Sequence, residues 1–448
     1  MAAVMQQREL AITLWRQTWP MAIGVLALLG FQLVDSAFIA RLGTAPLAAQ
    51  SFTFPLSFLM IGIQVGMGIA IAALISRALG AGEQARAKRL SSLVLIAGGA
   101  VMGVLVIALW LLQVPLFRLL GADSAALEYI RAYWGPQLFS AWLGALLYFM
   151  YSVFRAHGDT RMPGKMMVAS SLINLALDPL FIFGFGAWEG WGLPGAALAT
   201  AVAFSVGLLL TWGKLRRCQW TSTVDLWQEV QRSWRPFTGI AAPAMVSQLM
   251  PPLAAMLAIA AVAELGDTQV AAWGLASRLE TLSLMVILAM TMSLPPWLGR
   301  CYGAGNWGQI QQLMRLALKV AVIWQLSLGV LLALASPWVA MALAGNPEVQ
   351  SELALLIRFL LPSYAALGVC MLVVSAGNAL GWPLRAMLLS SARLFVCYLP
   401  CLWLGAQLFG WTGLAAGAAI GNLLAGLTAW VLLKRILSRP HRQAGVSH

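Results

Sequence analysis

Two aspartates lie inside long apolar stretches of this chain, where an ionised side chain is costly. Asp35 and Asp178 are flanked by aliphatic and aromatic residues, whereas nearly all the other acids fall where loops or helix ends are expected. A carboxylate surrounded by hydrocarbon costs several kcal/mol, and such residues usually mark a path for ions or protons. The two aspartates therefore indicate ion or proton transfer in the first half of the chain.

Polar neighbours accompany the second acid at helical spacing. Asn174 precedes Asp178 by four residues, and Ala196 precedes Thr200 by four, so each pair lies on one face of a helix. Together with Asp35 they supply two carboxyl groups, an amide, a hydroxyl and a backbone carbonyl. Such an oxygen-rich cluster suits a shared proton or a hard cation such as Na⁺. We predict a cation-coupling site at these five positions, with Asp35, Asn174, Asp178 and Thr200 as sodium ligands if sodium binds. The alternative is an isolated aspartate that caps a helix or pairs with an arginine.

The composition predicts that most of the chain lies in lipid. Of 448 residues, 61% are hydrophobic and only 10% are charged, and the mean hydropathy is +0.83. These values exclude an ordinary soluble protein. Apolar runs of about 20 residues can cross the membrane as helices. We count twelve, at residues 15–39, 46–76, 91–113, 130–154, 164–186, 193–213, 238–262, 270–298, 313–335, 354–376, 385–405 and 412–436.

The basic residues predict the orientation of these spans. The net charge of +13 is scattered over alternate loops, which argues against a nucleic-acid-binding surface. Because Lys and Arg concentrate in cytoplasmic loops, both termini are predicted to be cytoplasmic, and the protein is expected in the bacterial inner membrane. The five cysteines lack paired spacing, so neither a disulfide framework nor a zinc site is expected.

The chain repeats itself. The segment that begins at Leu42 begins again at Leu265, 223 residues later, and Gly-Ala-Gly loops follow both copies at the same offset, at residues 80–82 and 303–305. Several matches at one spacing indicate a duplication. Two halves with six spans each have the same orientation, which makes them parallel repeats. Parallel repeats of this kind bind substrate in a central cavity between the halves and work by rocking.

We therefore predict an all-α integral membrane protein with twelve transmembrane helices in two lobes. The N-lobe is assigned to residues 1–213, a cytoplasmic linker to 214–236, the C-lobe to 237–436 and a polar tail to 437–448.

Three segments resemble a known transporter family. Residues 34–43 (VDSAFIARLG), 174–181 (NLALDPLF) and 195–200 (GAALAT) are similar to the MATE (multidrug and toxic compound extrusion) family, and the resemblance extends over the chain. Pro251 and Val369 occupy positions where the NorM-like branch carries acids, so the sequence is closer to the DinF-like branch. The resemblance implies drug efflux coupled to inward proton flow, with sodium binding at the same residues as the alternative.

The predicted topology allows the coupling residues to meet. From the ends of their spans, Asp35, Asp178 and Thr200 are expected roughly 6, 12 and 10 Å below the outer boundary of the membrane. The acids that flank the seventh and eighth spans, Glu264, Asp267 and Glu280, are expected at solvated helix ends. A buried ion pair between Glu280 and Arg278 is the alternative for Glu280.

Two further groups of residues are candidates for function. Pro20, Gly24 and Gly30 lie on the cytoplasmic side of Asp35 and form a candidate hinge, because proline removes one helical hydrogen bond. A fixed kink for packing is the alternative. Polar side chains at membrane depth are candidates for lining a substrate cavity, namely Gln32, Gln64, Tyr148 and Tyr151.

Three functions remain open from the sequence. The first is a secondary antiporter that exports amphipathic, often cationic drugs, with a proton or Na⁺ as coupling ion and no cofactor. The second is a lipid-headgroup flippase, which would need basic residues at mid-span that are not evident here. The third is a membrane-embedded enzyme, whose paired metal or nucleophile motifs are missing. We expect a monomer that contacts membrane lipid and binds no nucleic acid.

Overall fold

The computed structural model describes residues 2–186 and 188–437, without the side chains of residues 2–8. The described residues form α-helices, two short π-helical segments and no β-strand, although one isolated bridge joins Phe185 and Trp188. The first half contains α1 (Ala2–Ala40), α2 (Thr44–Gly80), α3 (Gln84–Leu93), a π segment (Val94–Gly98), α4 (Gly99–Leu111), α5 (Gln113–Leu119), α6 (Ser124–Ala156), α7 (Arg161–Phe183) and α8 (Leu193–Cys218). The second half contains α9 (Leu226–Ala263), α10 (Asp267–Ser283), α11 (Met285–Gly303), α12 (Trp307–Leu334), α13 (Ser336–Leu343), α14 (Pro347–Ala379), α15 (Pro383–Ala392), a π segment (Arg393–Tyr398) and α16 (Leu399–Leu437).

The prediction of twelve membrane-spanning helices is confirmed. Ten helical stretches of the described chain are long and apolar enough to cross a membrane, and an eleventh span is the pair α10 and α11, which is bent by 41°. The last stretch, Pro383–Leu437, has 55 residues and contains two of the predicted spans. It is broken at Phe409 and Gly410, where Gly410 has φ 60°, a conformation that glycine adopts without steric cost.

The helix boundaries reproduce the repeat that the sequence predicted. Several helices of the second half begin 223 residues after their counterparts, namely at Thr44 and Asp267, Gln84 and Trp307, Gln113 and Ser336, and Ser124 and Pro347. The duplication therefore extends beyond the matching loops to the order and length of the helices.

Two helices are shared between the compact units of the molecule. One unit, called the first unit below, runs from Pro20 to Met245. The second unit combines the start of α1 up to Trp19 with the chain from Val246 onward. The boundaries thus fall inside α1 and inside α9. Proline lies at or near both, because Pro243 is 223 residues after Pro20. Each half therefore begins with a helix that changes units close to a proline.

The segment predicted as an inter-lobe linker is largely helical and is packed on the first unit. In the short connection between α8 and α9, the Trp220 ring stacks on His157 with 4.1 Å between ring centroids. At the start of α9, buried Glu229 accepts hydrogen bonds from Arg86 and Arg89 at 3.2 and 3.3 Å. These contacts fix the connection to the helices that precede it.

The expectation of a solvated Glu280 is wrong. Its carboxylate accepts a hydrogen bond of 3.0 Å from the hydroxyl of Tyr364, which is only 2% exposed. Tyr364 belongs to α14, 84 residues away, so the sequence around Glu280 carried no sign of this partner. A tyrosine hydroxyl stabilises a half-buried carboxylate that water cannot fully solvate.

Glycines set the close approach of the two helical parts of α16. A Cβ atom added to Gly417 would collide with the carbonyl oxygen of Cys401, and one added to Gly413 would collide with that of Gly405. The bend at Gly410 thus folds the chain back so that backbone packs directly on backbone. Small residues at such contacts are characteristic of membrane helices, where close packing replaces hydrophobic burial.

We expect Gly417→Ala to destabilise the protein by about 1–3 kcal/mol, because the added methyl group must push two backbones apart. Thermal unfolding of the purified protein in detergent, followed by size-exclusion chromatography, measures the change. Gly274→Ala is the matched control, because no atom lies within 4 Å of the added Cβ. Equal melting temperatures for Gly417→Ala and the parent would show that the close contact is not needed for stability.

Candidate cation-coupling site

The helices α7 and α8 bring Asn174, Asp178 and Thr200 together in the first unit. Asp178 and Asn174 are buried, with 0% and 2% exposure, and lie one turn apart on α7. Thr200 lies on the adjacent α8, and its hydroxyl donates a hydrogen bond of 3.0 Å to the carbonyl oxygen of Ala196. This helix pairing is close because Gly195 lies against the backbone of α7 at Phe181.

The Asn174 amide bridges the other two polar groups. One of its terminal atoms lies 2.9 Å from the Thr200 hydroxyl, and the other lies 3.0 and 3.1 Å from the two carboxyl oxygens of Asp178. With the nitrogen toward Asp178, the amide donates to an ionised carboxylate. With the oxygen toward Asp178, the amide nitrogen would face the backbone N–H of Thr200 at 2.9 Å, which sets two donors against each other. The orientation with the nitrogen toward Asp178 therefore satisfies the amide, an ionised carboxylate and the Thr200 backbone together.

Asp35 reaches the same cluster from α1. Its carboxyl group lies next to the Asp178 carboxyl group, and its Oδ1 atom is buried without a hydrogen-bond partner. Two carboxyl groups can form a hydrogen bond only if one of them carries a proton, because ionised carboxylates are acceptors only. The geometry thus fits a shared proton, and it also provides several oxygen atoms around one point.

A buried tyrosine lies near Asp35, and two glutamines accompany it. Tyr133 on α6 lies near Asp35 and is 4% exposed, and its hydroxyl donates to Gln137 at 3.0 Å. Gln50 on α2 lies within hydrogen-bonding reach of the same hydroxyl and is 8% exposed. The available signal was the spacing of Tyr133 and Gln137, which are four residues apart on one helix face.

The candidate hinge residues differ in their surroundings. Gly24 lies against α7, since a Cβ added to it would be 3.1 Å from Gly164 and Met167. A Cβ added to Gly164 would in turn collide with the carbonyl oxygen of Pro20. Gly30, by contrast, has no atom within 4 Å of such a Cβ. The α1 helix is continuous through Pro20, so the three positions form no break in its helical assignment.

The four candidate cavity residues do not share one environment. Tyr151 is buried and Tyr148 half-buried on α6, and Gln64 is half-buried on the neighbouring α2. Gln32 is exposed on α1, three residues before Asp35. Tyr148 contacts α2 at Gly68, one turn beyond Gln64.

Comparisons with known proteins match nearly the whole chain. The MatE family model matches residues 20–180 and 243–404. A crystal structure of the D35N mutant of the Vibrio cholerae MATE transporter VcmN is 46% identical, with a TM-score of 0.93, and covers 96% of this chain and 98% of that chain.

Two curated relatives carry different functional names. A protein named FAD transporter, from Shewanella oneidensis, is 34% identical over 93% of both chains. The probable multidrug resistance protein YoeA of Bacillus subtilis is 24% identical over 91% of both chains.

We expect Asn174→Leu to lower the free energy of unfolding by about 1–3 kcal/mol, because it leaves the Asp178 carboxyl group buried without its amide partner. Ser36→Ala is a suitable control, since the exposed Ser36 hydroxyl bonds only to a carbonyl of its own helix. Thermal unfolding in detergent measures both variants. An unchanged melting temperature for Asn174→Leu would mean that the amide does not stabilise the cluster.

Proposed function

The chain belongs to the MatE family of membrane transporters, which are secondary transporters and not enzymes, and we propose that it is a cation-coupled multidrug efflux antiporter. The proposed substrates are amphipathic, often cationic compounds, exported by alternating access in exchange for an inward-moving proton. We also propose that the protein lies in the bacterial inner membrane with both termini on the cytoplasmic side, and that it acts as a monomer.

The observation that carries this proposal is that the carboxyl groups of Asp35 and Asp178 lie next to each other. When a proton lies between the two carboxyl groups, they attract each other and hold α1 against α7. When the proton leaves, two negative charges face each other in a site where Asp178 is fully buried, and they repel. Proton release therefore changes the force between two helices, which is what coupling to transport requires.

Asn174 gives the ionised site a defined donor. Its amide nitrogen lies 3.0 and 3.1 Å from the two carboxyl oxygens of Asp178, and its oxygen accepts from Thr200. The cost of ionising a buried carboxyl group is thereby reduced without a permanent positive charge beside it. A permanent cation would hold the carboxylate ionised, and the site would then not exchange its proton.

The contacts of α1 support a hinge at Pro20. Before the proline, the Thr18 hydroxyl is 3.1 Å from that of Ser293, and both residues are buried in the unit that contains the second half. After the proline, Gly24 packs on α7 in the other unit. A force on Asp35 therefore acts on a helix whose two parts belong to different units. The helix resists bending least at Pro20, where one hydrogen bond is missing.

Sodium is the alternative coupling ion. Asp35, Asn174, Asp178 and Thr200 present carboxyl, amide and hydroxyl oxygens in one cluster, which suits a hard monovalent cation. A proton and Na⁺ would use the same residues, so only an experiment distinguishes proton coupling from sodium coupling.

A second candidate substrate is a flavin dinucleotide. The curated relative with 34% identity is named FAD transporter, whereas the YoeA relative is only 24% identical. The coupling site would be unchanged, because only the transported compound differs.

We expect Asp178→Asn and Asp35→Asn each to reduce efflux to the level of vesicles that lack the protein. An amide keeps the volume of the carboxyl group but cannot release a proton. The measurement is export of a cationic dye from sealed vesicles, driven by a pH gradient without sodium and, separately, by a sodium gradient at constant pH.

Glu264→Gln is the matched control, because Glu264 is an exposed acid outside the cluster. Efflux that persists in both aspartate variants would remove these residues from the coupling mechanism. Loss of efflux in only one variant would contradict the shared site and favour a mechanism in which a single aspartate carries the proton.

We expect Pro20→Ala to weaken coupling without altering either acid, because the restored helical hydrogen bond stiffens α1. Substrate-dependent proton release from the purified protein, measured by calorimetry in buffers of different ionisation enthalpy, should fall relative to the parent. Gly213→Ala, at a site with open space on α8 and outside the candidate hinge, controls for a change in helix propensity. Equal proton release in Pro20→Ala and the parent would identify the proline as a packing feature.

A further inference from the structure

The first unit contains a buried arginine whose partners in the structure are all neutral. Arg155 lies near the end of α6 and is only 5% exposed. Its Nη2 donates a hydrogen bond of 2.8 Å to the Ser152 hydroxyl, and its guanidinium carbon lies 5.1 Å from the centroid of the Tyr148 ring. The Nε atom is buried and has no hydrogen-bond partner.

The acid closest to it in sequence is already engaged. Asp159 forms an ion pair with Lys214 and accepts hydrogen bonds from the backbone nitrogens of Arg161 and Met162 at the start of α7. Among the described residues, none of the ion pairs includes Arg155. A guanidinium group stays charged at any ordinary pH, so this region holds a positive charge without a compensating negative one.

The surrounding helices hold this guanidinium in a fixed place. Tyr148, Ser152 and Arg155 lie on successive turns of one face of α6, and the Ser152 hydroxyl donates to the Tyr148 carbonyl at 3.0 Å. A Cβ added to Gly68 of α2 would collide with the Tyr148 ring and lie 2.9 Å from the Ser152 oxygen. Glycine at this position therefore lets α2 press the ring and the hydroxyl toward the arginine.

The contacts around Arg155 lack an anion. Burying an unpaired charge is costly, and the cost is relieved by an anion that accepts hydrogen bonds from the guanidinium. The planar fork of arginine matches two oxygens of a phosphate or carboxylate, while an aromatic ring beside it suits a ligand with both a charged and an aromatic part. The charge pattern of the loops puts this end of α6 on the cytoplasmic side, from which an exported compound enters.

We propose that Arg155 binds the phosphate or carboxylate group of anionic compounds that enter from the cytoplasm, with Tyr148 and Ser152 as positioning residues. This inference rests on the proposed export function, and it extends the substrate class to anions such as nucleotide-type compounds. An anionic lipid headgroup presents the same phosphate chemistry, so the test separates the two sources.

The experiment measures binding of FAD and riboflavin to the purified full-length protein by flavin fluorescence. Both contain the flavin ring, but only FAD carries phosphates. We expect Arg155→Gln to weaken FAD binding about tenfold or more, as for loss of a charge-assisted hydrogen bond, and to leave riboflavin binding unchanged. Arg155→Lys, which keeps the charge and loses the fork, should have an intermediate effect.

Arg161→Gln is the matched control, because Arg161 is an exposed arginine at the same end of the helix pair. Monodisperse elution of each variant establishes that it is folded. Displacement of FAD by short-chain phosphatidylglycerol in the parent, and not in Arg155→Gln, would support the same site with a lipid headgroup as its natural occupant.

Three results would overturn the proposal. They are equal FAD binding by Arg155→Gln and the parent, equal loss of FAD and riboflavin in that variant, and a parent that binds neither FAD nor pyrophosphate. Dye efflux by the same proteins tests the export function independently of anion binding. If the parent exports dye but does not bind the anions, the proposed export function stands and the anion site is rejected. If the parent binds the anions but does not export dye, only the anion site stands.

Discussion

Two neighbouring carboxyl groups shielded from water attract each other only while a proton lies between them, and the polar cluster of the first half is built around that condition. Asp178 is fully buried, and Asp35 reaches it from another helix. Asn174 and Thr200 supply neutral hydrogen-bonding groups and no charge. A charged partner would have fixed the protonation state, whereas neutral partners leave it open to exchange.

The consequence of a changed force at Asp35 depends on what α1 is attached to. The part of α1 before Pro20 is fastened near Ser293 by Thr18, and the part after it packs on α7 through Gly24 and Gly164. The ninth helix shows a similar division near Pro243. In both helices a proline lies close to the boundary between compact units, where the helical hydrogen-bond ladder lacks one donor.

The duplication preserved the scaffold and not the charges. Helices begin at equivalent positions in both halves, yet the pair of neighbouring aspartates, Asp35 and Asp178, occurs only in the first half. The second half instead contains Glu280, whose hydrogen bond to Tyr364 joins α10 to α14. Ionisable groups away from solvent in this protein thus have three settings: two neighbouring acids, an acid bonded to a tyrosine, and Arg155 with neutral partners only.

The sequence by itself determined the helical class, the twelve spans, the repeat and the identity of the two unusual acids. Hydrophobic run length and the cost of charge in lipid are local properties, so they can be read without coordinates. Helical spacing also joined Asn174 to Asp178 correctly. Only the tertiary structure decided which helices meet. It placed Asp35 beside Asp178, added Tyr133 and Gln50, gave Glu280 a partner 84 residues away and left Arg155 without an acid. Those contacts join residues that are distant in the chain, and they depend on glycines such as Gly68 and Gly164 that allow close helix packing, which no local pattern specifies.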